Sequence, residues 1–232
     1  MLISWIQKTT LLDYPGKVST IIFTPWCDLR CKYCHNSQFV LPELLKSFKT
    51  YIPEEVFFNF LNTKIWILDW VVICWGEPTL QKDLVEFCDK IKKLWFLVKL
   101  DTNWRDPEML KKLLDKNLVD YIAMDVKTTE DKFQNLTWIK PDFKKYLQSI
   151  EIIKNSNIDY EFRTTVVKWY HEREDIENIS KMLKKKKNYN FQNYNHWNTL
   201  DKNFDWKSFT ESELKEFVLI AKKYVLNSKI RF

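Results

Sequence analysis

The stretch Val18–Asn36 reads VSTIIFTPWCDLRCKYCHN and joins an apolar run to three closely spaced cysteines. Its first part, Val18–Phe23, is rich in β-branched residues, which predicts a buried strand. Cys27, Cys31 and Cys34 follow in the spacing C-x3-C-x2-C, and the whole chain has only five cysteines. A strand that leads directly into a group of thiols predicts a site at the carboxyl end of that strand.

The rest of the chain repeats a short apolar run followed by a helical pattern. The predicted strands are Val18–Phe23, Val71–Cys74, Leu97–Leu100, Tyr121–Val126, Tyr160–Val167 and Tyr189–Phe191. The predicted helices are Pro53–Asn62, Gln81–Leu94, Pro107–Lys116, Phe143–Asn155, Glu172–Lys184 and Thr210–Tyr224. Six such units predict parallel strands with helical crossovers, and six are too few to close an eight-stranded barrel. We therefore expect an α/β fold, a partial and open (β/α)6 barrel, in a single domain over residues 1–232.

Composition and charge limit the classes of protein that fit. Hydrophobic residues make up 45% and charged residues 29% of the 232 residues, which is typical of a folded globular protein. The net charge of +6 owes much to the run Lys184–Lys187, which we interpret as a solvated helix end rather than a nucleic-acid site. No signal peptide and no apolar run of about 20 residues is visible. We expect a cytoplasmic protein with neither a membrane nor a nucleic acid as partner.

The cysteine group favours metal chemistry over disulfides, because thiols stay reduced in the cytoplasm. Three soft thiolates suit an iron-sulfur cluster or zinc, and a fourth ligand is missing nearby. A structural zinc site, with His35 as the fourth ligand, remains an alternative, although such sites rarely use directly adjacent cysteine and histidine ligands. An iron-sulfur cluster with one open iron leaves room for a small molecule to bind. Cys74 and Cys88 are interpreted as small buried hydrophobic residues.

Unusual polar residues follow the other predicted strands at the same end. They are Glu77 after the second strand, Asp101, Thr102 and Asn103 after the third, Asp125 and Lys127 after the fourth, and Arg163 in the fifth. Alternatives remain open, since Asp101 and Asp125 could cap the next helices, and Arg163 and Lys127 could pair with surface carboxylates. The architecture brings the carboxyl ends of parallel strands together, so these side chains are predicted to share one site.

Together these motifs resemble a known family. The cysteine spacing, with Tyr33 just before the last cysteine, is the signature of radical S-adenosylmethionine (SAM) enzymes. More narrowly, the chain is similar to activating proteins of anaerobic ribonucleoside-triphosphate reductases over about Trp5 to Leu200. The segments that carry this resemblance are IQKTTLLDYPGK (6–17), CKYCHN (31–36), GEPTLQ (76–81), LVKLDTN (97–103), VDYIAMDVK (119–127) and YEFRTTVV (160–167). Pyruvate formate-lyase activating enzymes share several of them.

The resemblance implies a cofactor and a role for each motif residue. Cys27, Cys31 and Cys34 would hold a 4Fe-4S cluster essential for catalysis, whose fourth iron is chelated by SAM. Tyr33 would lie near the adenine, Gly76 and Glu77 would receive the methionine amino group, and Pro78 would fix the turn. Asp101, Thr102, Asn103, Asp125 and Lys127 would surround the ribose and carboxylate of SAM or a monovalent cation, and Arg163 would add positive charge.

The same resemblance implies a reaction and its partners. An electron from a flavodoxin or ferredoxin type donor would cleave SAM to methionine and a 5'-deoxyadenosyl radical, which would generate a glycyl radical on the reductase. Two other functions remain open: a radical SAM enzyme that acts on a small molecule, and a non-catalytic metal-binding paralogue. The absence of an auxiliary cysteine group favours an activase, because a protein substrate can complete an open barrel and exclude water.

The glycine and tryptophan contents are abnormal. The chain has 2 Gly and 11 Trp, whereas average usage predicts about 16 Gly. Trp26, Trp75 and Trp104 stand where the family has glycine. Trp5, Trp66, Trp70, Trp95, Trp138, Trp169 and Trp197 fall where turns, strand beginnings and helix ends are predicted, whereas Trp206 is unassigned. Our hypothesis is that a UGA codon means glycine in this gene and has been rendered as tryptophan; a divergent, inactive paralogue is the alternative.

Overall fold

Eight strands form one sheet in the computed structural model, which describes residues 1–14, 16–46, 51–184, 188–195, 199–201, 203 and 207–231. The strands are β1 (Trp5–Thr10), β2 (Ser19–Phe23), β3 (Trp70–Cys74), β4 (Leu97–Thr102), β5 (Tyr121–Asp125), β6 (Asp159–Val166), β7 (Asn188–Asn193) and β8 (Asn227–Arg231). They lie in sequence order across the sheet. Of the features discussed above, Trp197, Trp206 and Lys185–Lys187 lie outside the described residues.

The topology is that of an open α/β sheet. β1 is antiparallel to β2, and every later pair of neighbouring strands, from β2·β3 to β7·β8, is parallel. The helices are α1 (Pro42–Leu45), α2 (Glu54–Asn62), α3 (Leu84–Lys93), α4 (Pro107–Asp115), α5 (Glu130–Thr137), α6 (Phe143–Lys154), α7 (Arg173–Met182) and α8 (Glu211–Lys222). The six predicted strand-helix units and the open (β/α)6 arrangement are confirmed.

Local signals in the sequence explain where the crossover helices begin. The Asp106 side chain accepts a hydrogen bond from Met109 N at 2.9 Å and Pro107 occupies the first turn of α4. At the start of α8, Thr210 and Glu213 form a reciprocal capping box. Both arrangements satisfy backbone N–H groups that have no partner within the helix. These crossover helices therefore begin at defined caps outside the strands, which leaves the strand ends free to carry polar residues.

The two faces of the sheet differ in character. The helices cover one face with a large apolar core that includes Val71, Leu100 and Ile122. The other face has a small apolar cluster on β2 and β3, made of Ile21, Phe23, Val72 and Cys74. On β4, β5 and β6 that face instead carries ionic side chains: Lys99, Asp101, Asp125, Glu161 and Arg163. The inner face therefore changes from apolar to charged across the sheet.

Besides the four-residue helix α1, three elements were not predicted from the sequence. β1 pairs with β2 at the edge of the sheet, and its side chains are mostly exposed, so its apolar signal is weak. β8 occupies the other edge, and its sequence NSKIR has only one apolar residue. Helix α5 is the third, a short and polar segment that precedes α6. No helix in the described part of the chain combines the length and the apolar character that crossing a membrane requires.

The tryptophans occupy unusual backbone conformations. Of the described residues other than glycine, eight have positive φ, and seven of these are tryptophans: Trp26, Trp66, Trp75, Trp95, Trp104, Trp138 and Trp169. The eighth is Asn117. Trp5 and Trp70 are the first residues of β1 and β3 and do not have positive φ. The described tryptophans that were predicted at turns, strand beginnings and helix ends thus lie at such positions.

Candidate functional site

A cavity of about 470 Å³ lies at the carboxyl edge of the parallel strands. Its walls include every predicted site residue except Pro78: Cys27, Cys31, Tyr33, Cys34, Gly76, Glu77, Asp101, Thr102, Asn103, Asp125, Lys127 and Arg163. Pro78 is buried next to the cavity and begins a 3-10 turn, Pro78–Leu80, directly after β3. The topology therefore brings together residues from five strand ends that are far apart in the sequence.

The cysteine loop is held by backbone hydrogen bonds to distant segments. Arg30 N and Lys32 N donate to the carbonyl oxygens of Thr137 and Leu136, both at 3.0 Å, at the end of α5. Within the loop, Cys34 N donates to Cys31 O at 2.9 Å. These bonds fix the path of a segment that is neither helix nor strand, so the three thiols keep their places on one wall of the cavity.

Burial controls the ionisation of the three thiols. It raises the pKa of Cys31 to about 12, despite the opposing effect of the Lys127 ammonium. Burial also raises the pKa of Cys27 and Cys34 above the usual thiol range. The thiols are therefore protonated at neutral pH unless a metal binds the sulfur atoms and displaces the protons. In the described part of the chain, no three His, Cys, Asp or Glu side chains are arranged to hold a single metal ion.

Glu77 joins the ends of β3 and β4. Its Oε1 accepts hydrogen bonds from Thr79 N (3.1 Å), Thr79 Oγ1 (2.6 Å) and Thr102 Oγ1 (2.8 Å), and its Oε2 accepts one from Asn103 N (2.6 Å). The side chain is fully buried, and burial raises its pKa to about 7 although the hydrogen bonds oppose the shift. Donors within the protein thus use the hydrogen-bonding capacity of this carboxyl group.

Arg163 organises the charged part of the cavity. Its Nη1 donates to Asp101 Oδ2 at 2.9 Å and its Nε donates to Asp125 Oδ1 at 3.1 Å. Lys127 Nζ donates to Asp125 Oδ2 at 2.8 Å. Burial alone would raise the pKa of Asp125, but Lys127 and Arg163 outweigh it and lower the pKa to about 2. The alternatives of helix capping and surface pairing are not found, since Asp106 and Thr129 stand at the N-caps of α4 and α5.

Asn103 connects the charged strand ends to the cysteine loop. Its Nδ2 lies 3.5 Å from Cys27 Sγ and donates to Asp28 Oδ1 at 3.1 Å. One other buried polar atom at the cavity, the Tyr33 hydroxyl, has no hydrogen-bond partner, whereas Asp101 Oδ1 lies 3.4 Å from Lys99 Nζ. An orphaned buried polar atom costs about 1 to 3 kcal/mol, so the Tyr33 hydroxyl indicates a polar ligand that is not part of the chain.

The residues present fit an iron-sulfur cluster with a polar organic ligand. Three buried thiols on one wall supply soft ligands, which iron-sulfur clusters use. The Tyr33 hydroxyl has no partner within the protein and is available to a polar molecule beside it. Gly76 leaves no room for a side chain, because an added Cβ would lie 2.6 Å from Thr24 O and would also collide with Trp26 O. Gly76 thus allows the turn after β3 to pack directly against the backbone of residues 24–26 at the edge of the cavity.

Two tryptophans lie next to the cysteine loop and the end of β3. Trp75 is part of the cavity lining, and its ring packs on Phe23, with ring centroids 4.2 Å apart. Trp26 precedes the first cysteine, and its carbonyl accepts a hydrogen bond from Glu77 N at 2.6 Å. Both residues have positive φ, of 68° at Trp26 and 55° at Trp75. The indoles thus lie where the cysteine loop meets the turn after β3.

Several cavity residues were missed from the sequence. They are Gln7, Thr10, Leu12, Asp13, Thr165, Gln192 and Arg231 in the lining, with Lys99 and Glu161 below them. Alternate residues of a strand face the same side, so Lys99 could have been found from Asp101, and Glu161 and Thr165 from Arg163. The residues of β1 and β8 have no comparable signal, because those strands were not predicted, and Gln192 lies just beyond the predicted strand Tyr189–Phe191.

Comparison with known proteins places this site in a family. The chain matches the radical SAM superfamily over residues 21–185, more than half of its length. A protein of Methanocaldococcus jannaschii that carries the provisional name glycyl-radical enzyme activating enzyme is 37% identical over 236 residues, covering 99% of this chain and 95% of that protein. The chain is therefore homologous to that relative over nearly its whole length.

Solved structures share the fold at low sequence identity. Streptococcus suis SuiB bound to S-adenosylmethionine aligns with a TM-score of 0.70 at 15% identity, over 91% of this chain and 52% of the SuiB chain. A domain of pyruvate-formate lyase-activating enzyme from Bacteroides vulgatus aligns with a TM-score of 0.56 at 15% identity, over 69% of this chain and 97% of that domain. The matched motifs, the fold and the family match agree, and the chain belongs to the radical SAM superfamily.

Proposed function

We propose that this chain activates a glycyl-radical enzyme, with anaerobic ribonucleoside-triphosphate reductase as its partner. The observation that carries the proposal is the cavity in which three thiols of one loop face the charged ends of β4, β5 and β6. It offers soft ligands for iron beside polar groups for an amino acid and a ribose. The relative from Methanocaldococcus jannaschii supports the activase class, and the motifs quoted above favour the reductase. Residues 1–232 would act as one domain.

The thiols of Cys27, Cys31 and Cys34 would hold a 4Fe-4S cluster and leave one iron to the amino and carboxylate groups of SAM. When bound, the cluster and SAM supply one-electron cleavage of the sulfonium to methionine and a 5'-deoxyadenosyl radical, which takes a hydrogen atom from a glycine of the partner. A flavodoxin or ferredoxin type protein would deliver the electron. The residues of the chain would bind and orient SAM and exclude water from the cavity.

The charged residues would orient the cofactor. Lys127 Nζ and the Arg163 guanidinium are held in place by Asp125, at 2.8 and 3.1 Å, so their positions are fixed before a ligand binds. Such preorganised charges bind a carboxylate without the entropy cost of ordering flexible side chains. A monovalent cation beside Asp101 and Asp125 stays a prediction, since the protein already supplies cationic groups to both carboxylates.

The end of β3 would receive the methionine part of SAM. The Glu77 carboxyl group already accepts four hydrogen bonds, so its role would be to hold this strand end against Thr102 and Asn103. Gly76, which lines the cavity, would meet the amino group, and Pro78 starts the turn that follows. The unpartnered hydroxyl of Tyr33 is available to the adenine.

A protein substrate suits the mouth of the cavity better than a small molecule. Leu12 lines the cavity, yet 84% of its surface is exposed, and the neighbouring Leu11 is 68% exposed. Adjacent exposed leucines at the mouth of a site favour contact with an apolar surface of a partner. Docking of a protein loop would cover these side chains and exclude water from the cavity.

The first experiment asks whether the chain has the cofactor chemistry. The full-length protein is reconstituted with iron and sulfide without oxygen, reduced with dithionite, and assayed for 5'-deoxyadenosine released from SAM. We expect absorption near the 4Fe-4S band and release of 5'-deoxyadenosine. A protein that binds metal without releasing 5'-deoxyadenosine would support the non-catalytic alternative.

The second experiment identifies the partner. The reconstituted protein is mixed with SAM and either anaerobic ribonucleoside-triphosphate reductase or pyruvate formate-lyase from the same source, and the glycyl radical is measured by electron paramagnetic resonance. We expect the radical signal with the reductase alone. A signal only with pyruvate formate-lyase would replace the partner, whereas cofactor cleavage without a protein radical on either would favour a small-molecule substrate.

A further inference from the structure

We infer that the functional chain carries glycine at seven positions printed as tryptophan, because a single codon of its gene is read as glycine. The positions are 26, 66, 75, 95, 104, 138 and 169. The observation that carries this inference is the backbone: ten described residues have positive φ, and they comprise those seven, the two glycines and Asn117. Positive φ is the region that glycine adopts freely and that other residues, apart from Asn and Asp, avoid.

The strain of seven such tryptophans is large compared with protein stability. A side chain in the left-handed region costs roughly 1 kcal/mol or more, so seven cost about 7 kcal/mol. Globular proteins are stable by only about 5 to 15 kcal/mol. Unless packing offsets it, this strain would remove much of the stability of the chain.

Packing does not offset the strain at the most exposed positions. The surface of Trp66 is 98% exposed and that of Trp95 is 92% exposed. Trp66 lies in the turn after α2 and Trp95 in the turn after α3, where glycine commonly ends a helix. Trp138 is the C-cap of α5 in the left-handed conformation, with φ 56° and ψ 8°. At these helix ends the backbone requires the positive φ that glycine adopts freely, and the indole gains little stabilisation from packing.

At Trp104 the indole is fully buried, but its polar atom is not satisfied. Its φ is 84°, and its Nε1 has no hydrogen-bond partner. The ring packs against Tyr146, with centroids 4.8 Å apart, and the Tyr146 hydroxyl also lacks a partner. Two orphaned polar atoms side by side in a core are unusual and costly. Glycine at this position would remove the indole N–H and the strain together.

At the cavity, the same substitution changes the space for a ligand. The Trp75 ring lines the cavity, while its backbone carbonyl accepts a hydrogen bond from Thr24 Oγ1 at 2.5 Å. Glycine would keep that carbonyl bond and remove the ring. The cavity of the glycine chain is therefore larger than about 470 Å³ beside Gly76 and Glu77, which also line it.

A single reassigned codon explains the pattern better than independent drift. Drift away from glycine at seven sites would introduce residues of many types, and selection against strain would favour Asn or Asp. One codon with a changed meaning converts every affected glycine to the same residue at once. Gly16 and Gly76 would then be encoded by the ordinary glycine codons. We expect UGA at all seven positions of the gene, and the standard tryptophan codon UGG at position 26 or 75 would contradict the inference.

The deciding experiment is peptide mass spectrometry of the protein isolated from its own cells. Peptides that span positions 26, 75, 95 and 138 are expected to have masses that correspond to glycine. Tryptophan at position 26 or 75 would overturn the inference. This measurement does not depend on cofactor binding or activity, so its outcome stands even if the proposed function fails.

Two full-length recombinant chains give a second, independent measurement. One has the printed sequence and the other has glycine at the seven positions. We expect the glycine chain to unfold at a higher urea concentration and, after reconstitution, to bind SAM at least 10-fold more tightly, a difference of about 1.4 kcal/mol. A glycine chain less stable than the printed chain would contradict the argument from strain. If both chains fold and bind SAM with equal affinity, only the argument that the Trp75 ring restricts the cavity would be contradicted.

Discussion

Arg163 on β6 donates a hydrogen bond from Nη1 to Asp101 Oδ2 on β4, 2.9 Å away, although β5 lies between the two strands. The same guanidinium bonds to Asp125 at the end of the intervening strand, with Nε 3.1 Å from Oδ1. The Arg163 side chain is buried and the two aspartates are partly buried, and Arg163 therefore ties three neighbouring strand ends together. The cavity depends on this link, because each strand carries one of its walls.

Replacing Arg163 by Met should destabilise the protein. It removes the cation that Asp101 and Asp125 share, while Lys99 and Lys127 stay beside them, so the cost should lie below the value of about 3 to 5 kcal/mol for a buried charge left without any partner. The measurement is urea unfolding of the full chain at pH 7. The matched control is Arg173→Met, which removes an exposed pair with Glu216 and should cost less than about 1 kcal/mol. Equal effects of the two substitutions would contradict the proposed link.

The buried carboxyl group of Glu77 should make stability depend on pH. Its pKa is raised to about 7 from an ordinary value of 4.5, so the folded state binds the proton more tightly than the unfolded state. This contribution is complete below about pH 4.5 and is lost as the pH rises to about 7, by up to roughly 3 kcal/mol. The check compares urea unfolding of the wild type and Glu77→Gln at several pH values between 4 and 8.

The Gln variant is the control because it cannot titrate. Its stability should be lower than that of the wild type at pH 5, since an amide offers one acceptor where the carboxyl group receives hydrogen bonds on both oxygens. The difference between the two proteins should shrink as the pH rises to 7. A difference that stays constant with pH would mean that the carboxyl group keeps its ordinary pKa.

His171 should hold Lys127 in place through the backbone. Its Nδ1 accepts a hydrogen bond from Val167 N at 3.1 Å, so its Nε2 is the donor to Lys127 O at 2.9 Å. His171→Leu would leave two buried backbone groups without partners and should cost about 3 kcal/mol. Gln can accept and donate at similar positions, and His171→Gln should retain most of the stability. Urea unfolding measures both, and a Gln variant as unstable as the Leu variant would refute the two-bond role.

The three loop cysteines should be required one by one. Substitution of Cys27, Cys31 or Cys34 by Ala removes a proposed cluster ligand, and 5'-deoxyadenosine release should fall to background. Cys88→Ala is the matched control, because Cys88 is equally buried but lies on α3 within the apolar core. We expect the control to keep most of its activity. The ligand assignment would be refuted if only the Cys88 variant lost 5'-deoxyadenosine release, or if any of the loop variants kept it.

The fold could be predicted from the sequence where burial leaves a strong signal. Among the six inner strands, β2, β3 and β5 are mostly apolar runs, whereas β4, β6 and β7 mix apolar or aromatic residues with polar ones, and crossover segments separate all six. β1 and β8 escaped prediction because an edge strand is paired on one side and partly exposed, so its sequence needs few apolar residues. Helix α5 escaped because its eight residues present only a short apolar stripe.

The site could be predicted as a set of residues but not as a network. Parallel topology alone places Asp101, Asp125 and Arg163 at one edge of the sheet. Which carboxylate pairs with which cation depends on the register between strands, and no sequence pattern fixes that register. The role of Glu77 illustrates the difference, because the motif predicts a ligand for SAM whereas the structure has the carboxyl group bonded to Thr79, Thr102 and Asn103.

Exposed tryptophans give the sharpest test of backbone strain. Trp66→Gly and Trp95→Gly should each stabilise the printed chain by about 1 kcal/mol, because the backbone is left-handed there and the indoles are almost fully exposed. Trp5→Gly is the control, since Trp5 is also largely exposed but begins β1 without positive φ. There glycine should destabilise by roughly 0.5 to 1 kcal/mol, because it weakens a strand. Opposite signs in urea unfolding are the expected result, and a loss of stability at all three positions would show that these backbones do not require glycine.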